Sequence, residues 1–194
     1  MQETIEILRK EWRFLNDGVQ SAGHYYHSFI FSTIRNNFPE LRTVILRSVD
    51  ENSSSIHFHS DIRSKKIVDI EKNNSVGALF YDSSRRIQLR IQGLASVESN
   101  NDKTKKVWQS MRNESKLCYM GPFAPSSTMK SFLPNLPKNP LNKINQNDDK
   151  LGYSRFCRVK IVIKTIDWLQ LHHKGHKRLL FKFEDKVNSK WIAS

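Results

Sequence analysis

Ile5, Leu8, Trp12 and Leu15 recur at helical spacing. They predict an amphipathic helix over residues 3–16, inside an N-terminal helical segment 1–20, with Gly18 as its stop. The period then changes to two. Residues 27–35 (HSFIFSTIR) and 41–49 (LRTVILRSV) read as strands joined by the turn residues 36–40, NNFPE. Residues 50–54 form a second turn, and 55–59 a third strand. A helix is expected over 62–72, capped by Ser60 or Asp61 and stopped by Asn73 and Asn74. Residues 75–81 form an apolar strand, and Asp82, Ser83 and Ser84 turn the chain into 86–97. There Ile87, Leu89 and Ile91 alternate strictly with Gln88, Arg90 and Gln92, which assigns one face to a core. Asp102 is the expected cap of a helix bearing Val107, Trp108 and Met111. The end is again β, at 154–168, at 178–184 and in a short piece around Trp191. Strands joined by short turns, with a helix between the third and fourth, lack the rhythm of a doubly wound sheet. The predicted class is mainly β: an antiparallel barrel with flanking helices.

Composition sharpens this picture. The 194 residues fit one domain (1–194) against a prior of roughly 100–200 residues per domain. A hydrophobic share of 38% supplies a core. The formal net charge of +13 points to an anionic partner: nucleic acid, an anionic membrane surface or a phosphorylated small molecule. No apolar stretch approaches the ~18 residues of a membrane-spanning helix. Acids stand near the N-terminus where a signal peptide carries bases. Cys118 and Cys157 are the only cysteines, too few for a disulfide framework or a four-cysteine zinc site. A reducing, cytoplasmic setting is expected. Five of the six prolines (122, 125, 134, 137 and 140) fall within the Asn- and Lys-rich segment 121–150, which reads as a long loop or lid.

The chain has no GxGxxG, Walker loop, HExxH or GxSxG motif. Basic and polar groups at strand ends remain. Arg42 and Arg47 flank Thr43, Val44, Ile45 and Leu46 on one strand. Their odd spacing sends them to opposite faces, either as edge charges or with one in a ligand cleft. Residues 59–66 (HSDIRSKK) run from a strand end into a helix start. Cations there oppose the helix dipole unless an anion compensates, so the segment is a candidate phosphate cradle. Gln88 carries a carboxamide that can both donate to and accept from a heterocycle, or simply face solvent.

These three stretches, in this order, resemble the pyridoxamine 5′-phosphate oxidase family, the FMN-binding split β-barrels. The similarity is clearest over residues 27–98, with an echo at residues 166–168 and 176–178. It implies a split barrel and a homodimer with FMN at the subunit interface. Carried over by position, Arg42, Thr43, Val44, Ile45, Leu46 and Arg47 line the flavin and its ribityl phosphate. His59 and Ser60 stand where the family commonly has an aromatic residue and a threonine. Lys65 and Lys66 bind the phosphate, Gln88 faces the ring from the partner subunit, and Trp168 and Arg178 complete the site. Ser126 and Ser127 match a Gln-Ser contact. Arg47 or Arg178 near the ring favours the reduced, anionic flavin. The resemblance implies an FMN-dependent oxidoreductase acting by hydride transfer on a small substrate.

The departures concern that substrate. The family's Arg-Leu-His-x-Arg motif is Lys174-Gly-His176-Lys-Arg178 here, and lysine lacks the bidentate fork of arginine. The family's C-terminal Arg-Leu-x-Pro is absent. Arg112, Lys174 and His176 are the nearest matches to substrate-binding positions, with Trp108 beside them. FMN binding is therefore a firmer expectation than oxidation of pyridoxamine phosphate. The alternative is a haem- or flavin-binding split barrel without oxidase activity, kept open by the seven histidines. No ligand set with metal-site spacing is evident, so no metal is expected. A more remote alternative is a nucleic-acid-binding barrel, but the bases are dispersed and no recognition motif accompanies them.

Overall fold

The structure, a computed structural model, describes residues 2–137 and 144–194. They form two compact units: Met1–Phe58 with Asp69–Ser96 and Lys160–Ser194, and His59–Val68 with Val97–Val159. The elements are α1 (Gln2–Gln20), β1 (Ser28–Arg35), β2 (Phe38–Asp50), β3 (Ser55–Asp61), α2 (Lys65–Lys72), β4 (Ser75–Asp82) and β5 (Ile87–Glu98). They continue with α3 (Asp102–Ser110), α4 (Asn113–Leu117), α5 (Gln146–Arg155), β6 (Phe156–Gln170), β7 (Lys177–Phe183) and β8 (Val187–Trp191).

The first unit is built on the sheet. Its strands lie in the order β3-β2-β1-β4-β5-β6-β7-β8, and a further β3–β6 pairing closes the first six into an antiparallel barrel. The predicted mainly-β barrel with flanking helices is the fold observed. Ile87, Leu89 and Ile91 are buried and Arg90 and Gln92 exposed, as their alternation requires. Phe29 stacks on Phe80 at 4.7 Å between ring centroids, and Phe31 packs on Phe58 at 4.8 Å. The first hairpin is tighter than expected. Asn36 and Asn37 both have positive φ (51° and 65°), the two-residue turn whose twist matches antiparallel strands. Phe38, Pro39 and Glu40 therefore belong to β2, with Pro39 opposite Ile34. Pairing with β3 begins only at Leu46, so the missing N–H of Pro39 breaks no ladder bond with that strand.

Gly18 does not stop α1; the helix runs through it to Gln20. A Cβ at Gly18 would lie 2.7 Å from the Tyr26 backbone carbonyl, so the missing side chain lets the returning chain lie against the helix. The His27 ring nitrogen then meets the Gly18 carbonyl at 2.8 Å. The helix start expected at 62 lies at Lys65. Asp61 ends β3 instead of capping, and its carboxylate accepts the Arg63 backbone N–H at 2.8 Å.

The second unit packs around Trp108, Met120 and Phe156. Asn101, not Asp102, caps α3: its side chain accepts from Thr104 N–H while the Thr104 hydroxyl accepts from Asn101 N–H. Helix α5 carries no amphipathic stripe, and it displaces the start of β6 from the expected 154 to Phe156. Gly152 gives the Trp108 ring its place, since a Cβ there would lie 2.8 Å from it. Within 121–150, residues 121–137 carry no helix or strand, and 138–143, including Pro140, lie outside the described residues. Among the described residues no helix is long and apolar enough to cross a membrane.

Replacing Gly18 with alanine should lower stability by about 1–3 kcal/mol despite alanine's better helix propensity, because the new methyl meets backbone. Urea unfolding of Gly18→Ala checks this; an unchanged or raised midpoint would refute the close-approach argument.

Candidate functional site

In the first unit, β2 carries the Arg42–Arg47 stretch. Arg42 pairs with Phe31 across the ladder, and its guanidinium lies 5.8 Å from that ring centroid. Leu46 is buried, Val44 and Ile45 are half-buried, and Thr43 is exposed. Arg47 is the extra residue of a β-bulge: Leu46 faces Phe58 and Ser48 faces His57, leaving Arg47 unpaired and turned to solvent.

Arg42 sits in a charge cluster that no local motif announces. Asp69 of α2 is buried and receives Arg35 Nε and Nη2, both at 2.8 Å, and the Thr33 hydroxyl at 2.9 Å. Arg42 Nη1 donates to Thr33 Oγ1 at 2.7 Å, and Glu40 lies 3.3 Å from Arg35 and 3.9 Å from Arg42. Burial pushes the Asp69 pKa up, but the hydrogen bonds from Arg35 and Thr33 and the guanidinium charges outweigh it. They hold the carboxyl below its usual range. Burial lowers the Arg42 pKa, and Asp69 and Glu40 offset that only in part.

Gln88 is half-buried on the outward side of β5, opposite Tyr81. On β6, neighbours Asp167 and Trp168 serve opposite faces. Asp167 accepts from Arg178 Nε and Nη2 at 3.0 and 2.7 Å and also from Arg90. Trp168 is buried, and its indole N–H donates to Glu11 at 3.1 Å. Glu11 is a residue that the helical pattern did not single out. Its carboxylate also receives the Tyr26 hydroxyl at 3.0 Å and Arg85 at 2.8 and 3.0 Å, and Arg85 reaches Asp82. Burial, then Glu11, raises the Tyr26 pKa. Lys174 and His176 are exposed on the β6–β7 loop, where the His172 N–H donates to His176 Nδ1 at 3.0 Å.

In the second unit, Ser60 is buried at the end of β3, and Lys66 Nζ donates to its hydroxyl at 3.2 Å. The Cys157 thiol donates to the Ser60 carbonyl, and burial pushes its pKa up to about 12, so this cysteine stays protonated. The His59 ring meets Phe156 edge-on at 5.0 Å. Lys65 is exposed, and the first turn of α2 contains no acid. Arg63, also in the expected cradle, is spoken for: it grips Asp61 and bonds the Gly121 carbonyl, which Arg155 also reaches at 2.7 Å. Ser64 is buried. The basic groups on the first turn of α2 are the Lys65 and Lys66 ammoniums, beside the Ser60 hydroxyl. Two cations and no carboxylate in the first turn of an eight-residue helix favour an anion there. Arg112 is exposed just before α4, and Ser126 is exposed with φ 67°.

The closed antiparallel barrel has the fold of the split β-barrel proteins. Residues 9–99 match the family described as pyridoxamine 5′-phosphate oxidase, FMN-binding domain. Over these residues the chain is similar to the pyridoxamine 5′-phosphate oxidase-like proteins, a family described as FMN-binding. It is 29% identical over 181 residues to pyridoxine/pyridoxamine 5′-phosphate oxidase 2 of Arabidopsis thaliana, covering 88% of this chain and 87% of that one. Its fold is similar to that of a pyridoxamine 5′-phosphate oxidase-related, FMN-binding protein of Nostoc punctiforme (TM-score 0.70, 21% identity, 94% of each chain). It is also similar to PhzG of Burkholderia lata, solved with tetrahydrophenazine-1-carboxylic acid (TM-score 0.67, 13% identity, 97% of this chain and 91% of that one).

Two stability outcomes follow from the buried carboxylates. Glu11→Ala should cost about 3–5 kcal/mol in urea unfolding, because it strands Arg85, Tyr26 and Trp168; a cost under about 1 kcal/mol would refute the network. Asp69 and Asp82 both have lowered folded pKa values: burial raises each, but the bonds they accept outweigh it. Their stabilisation is therefore full above the unfolded value of about 3.9 and is lost as pH falls through the folded values. Melting temperature should drop below about pH 4, and less steeply in Asp82→Asn; an equal slope in the variant would count against it.

Proposed function

We propose that this protein is a homodimeric, FMN-dependent oxidoreductase acting on a small substrate, with each FMN at the subunit interface. The observation that carries the reading is the pairing of Lys66 with Ser60 at the start of a helix whose first turn holds cations and no acid. In this reading Ser60, Lys65 and Lys66 hold the phosphate of FMN. Arg42 and Arg47 flank the stretch of β2 that lines the ribityl chain and ring. When bound, FMN supplies the hydride chemistry, and the chain supplies grip, orientation and field.

The outward face of the barrel supports the dimer. Ile30 and Ile34 on β1 and Leu41 on β2 share one face and are 39%, 42% and 63% exposed, an apolar patch of the kind that subunit contact covers. Gln88 lies on an outward face too, where it can reach a cofactor held by a second copy. Asp167 orients Arg178 for the ring, while Trp168 holds β6 to α1 through Glu11. Lys174, His176 and Arg112, all exposed, are candidate contacts for an anionic substrate. The free thiols Cys118 and Cys157 suit a reducing cytoplasm.

The test is the absorbance spectrum of the purified protein, followed by titration with FMN and with riboflavin. A flavin spectrum is expected. Lys66→Gln should weaken FMN binding by about tenfold and leave riboflavin within about twofold, since only FMN carries the phosphate. No flavin spectrum together with no binding of added FMN would overturn the reading, and a haem Soret band would replace it.

A further inference from the structure

We infer that Thr33 and Asp69 are positioning residues for Arg42: a two-bond relay fixes the direction in which its guanidinium meets FMN. The inference rests on the proposed placement of Arg42 at the cofactor. Thr33 is fully buried, and its hydroxyl has one proton to give. Asp69 can only accept, so the proton of Thr33 goes to Asp69 Oδ2 at 2.9 Å. The oxygen then has only lone pairs to offer, and the group on its other side must be a donor. Arg42 Nη1 is that donor, at 2.7 Å. The polarity of the chain Arg42→Thr33→Asp69 is thus set by chemistry and not only by distance.

Asp69 itself cannot swing away. Its two oxygens are held by Arg35 Nε and Nη2 in a bidentate pair. Arg42 Nη2 stays 3.9 Å from both Asp69 and Glu40, too far for a hydrogen bond. Among the described residues only Nη1 of Arg42 is hydrogen-bonded, so one nitrogen is anchored and the other N–H groups remain for a ligand. Burial makes the Arg42 charge costly, Asp69 and Glu40 compensate it only in part, and an anionic ligand would relieve the rest.

The experiment is FMN affinity, read by flavin fluorescence quenching on flavin-stripped protein, in a double-mutant cycle. Arg42→Gln should weaken FMN binding by about tenfold. Thr33→Val should weaken it about three- to tenfold in the native background, and by less than about twofold on top of Arg42→Gln. Asp69→Asn should behave likewise, and Thr33→Ser, which keeps the hydroxyl, should stay within about twofold of the native protein. Circular dichroism melts confirm that each variant is folded; if Asp69→Asn is not, the Thr33 cycle decides alone. Additive losses would overturn the relay and leave Thr33 and Asp69 as merely structural. An Arg42→Gln protein that binds FMN normally would overturn the placement of Arg42 itself, and the relay with it, while leaving the Lys66 result intact.

Discussion

The barrel unit depends on a carboxylate that water does not reach. Glu11 is 2% exposed, and an unpaired charge at that depth would cost several kcal/mol. It is tolerated because donors from three other places converge on it: Tyr26 before β1, Arg85 from the β4–β5 turn and Trp168 from β6. Each donor constrains a separate stretch of chain. Tyr26 brings the segment after α1 back over Gly18, Arg85 fixes the hairpin turn through Asp82, and Trp168 ties β6 to the helix. Removing any of them leaves the others with an unsatisfied partner, so the unit holds as a set.

The same logic separates structural bases from those available to a ligand. Arg85, Arg35 and Arg63 are each gripped by a buried acid, at Glu11, Asp69 and Asp61 respectively. Their charge is consumed inside the fold. Lys65 and Arg47 are exposed, and Lys66 meets a hydroxyl instead of a carboxylate. Arg42 stands between the two groups, anchored at one nitrogen through Thr33. The overall excess of +13 therefore says less about function than the local question of which cations a buried acid holds.

Several parts of this fold were legible in the residues alone. The alternation of Ile87, Leu89 and Ile91 defined a strand and its buried face, because a period of two has only one structural meaning over that length. The Arg42–Arg47, His59–Lys66 and Gln88 stretches together carried the family resemblance. Other parts were not legible. Helix α5 has no apolar stripe, so nothing in its pattern distinguished it from loop. The residues just before the helix start were read as its cap, but Asp61 is used by Arg63. The bulge at Arg47 depends on how β3 pairs with β2, which one strand cannot reveal.

By itself, then, the sequence determined strand order of appearance, the buried face of β5 and the basic, acid-free run that opens α2. These are properties of residues within a few positions of each other, where spacing and propensity act directly. Only the tertiary structure decided that Gly18 is a contact surface and not a helix stop, that the buried Trp168 bonds Glu11, and that Asp69 reaches Arg42 through Thr33. Thr33 and Asp69 lie 36 residues apart, and Glu11 and Trp168 lie 157 apart. Buried charges choose partners by proximity after the chain has closed on itself, and no local pattern records that choice.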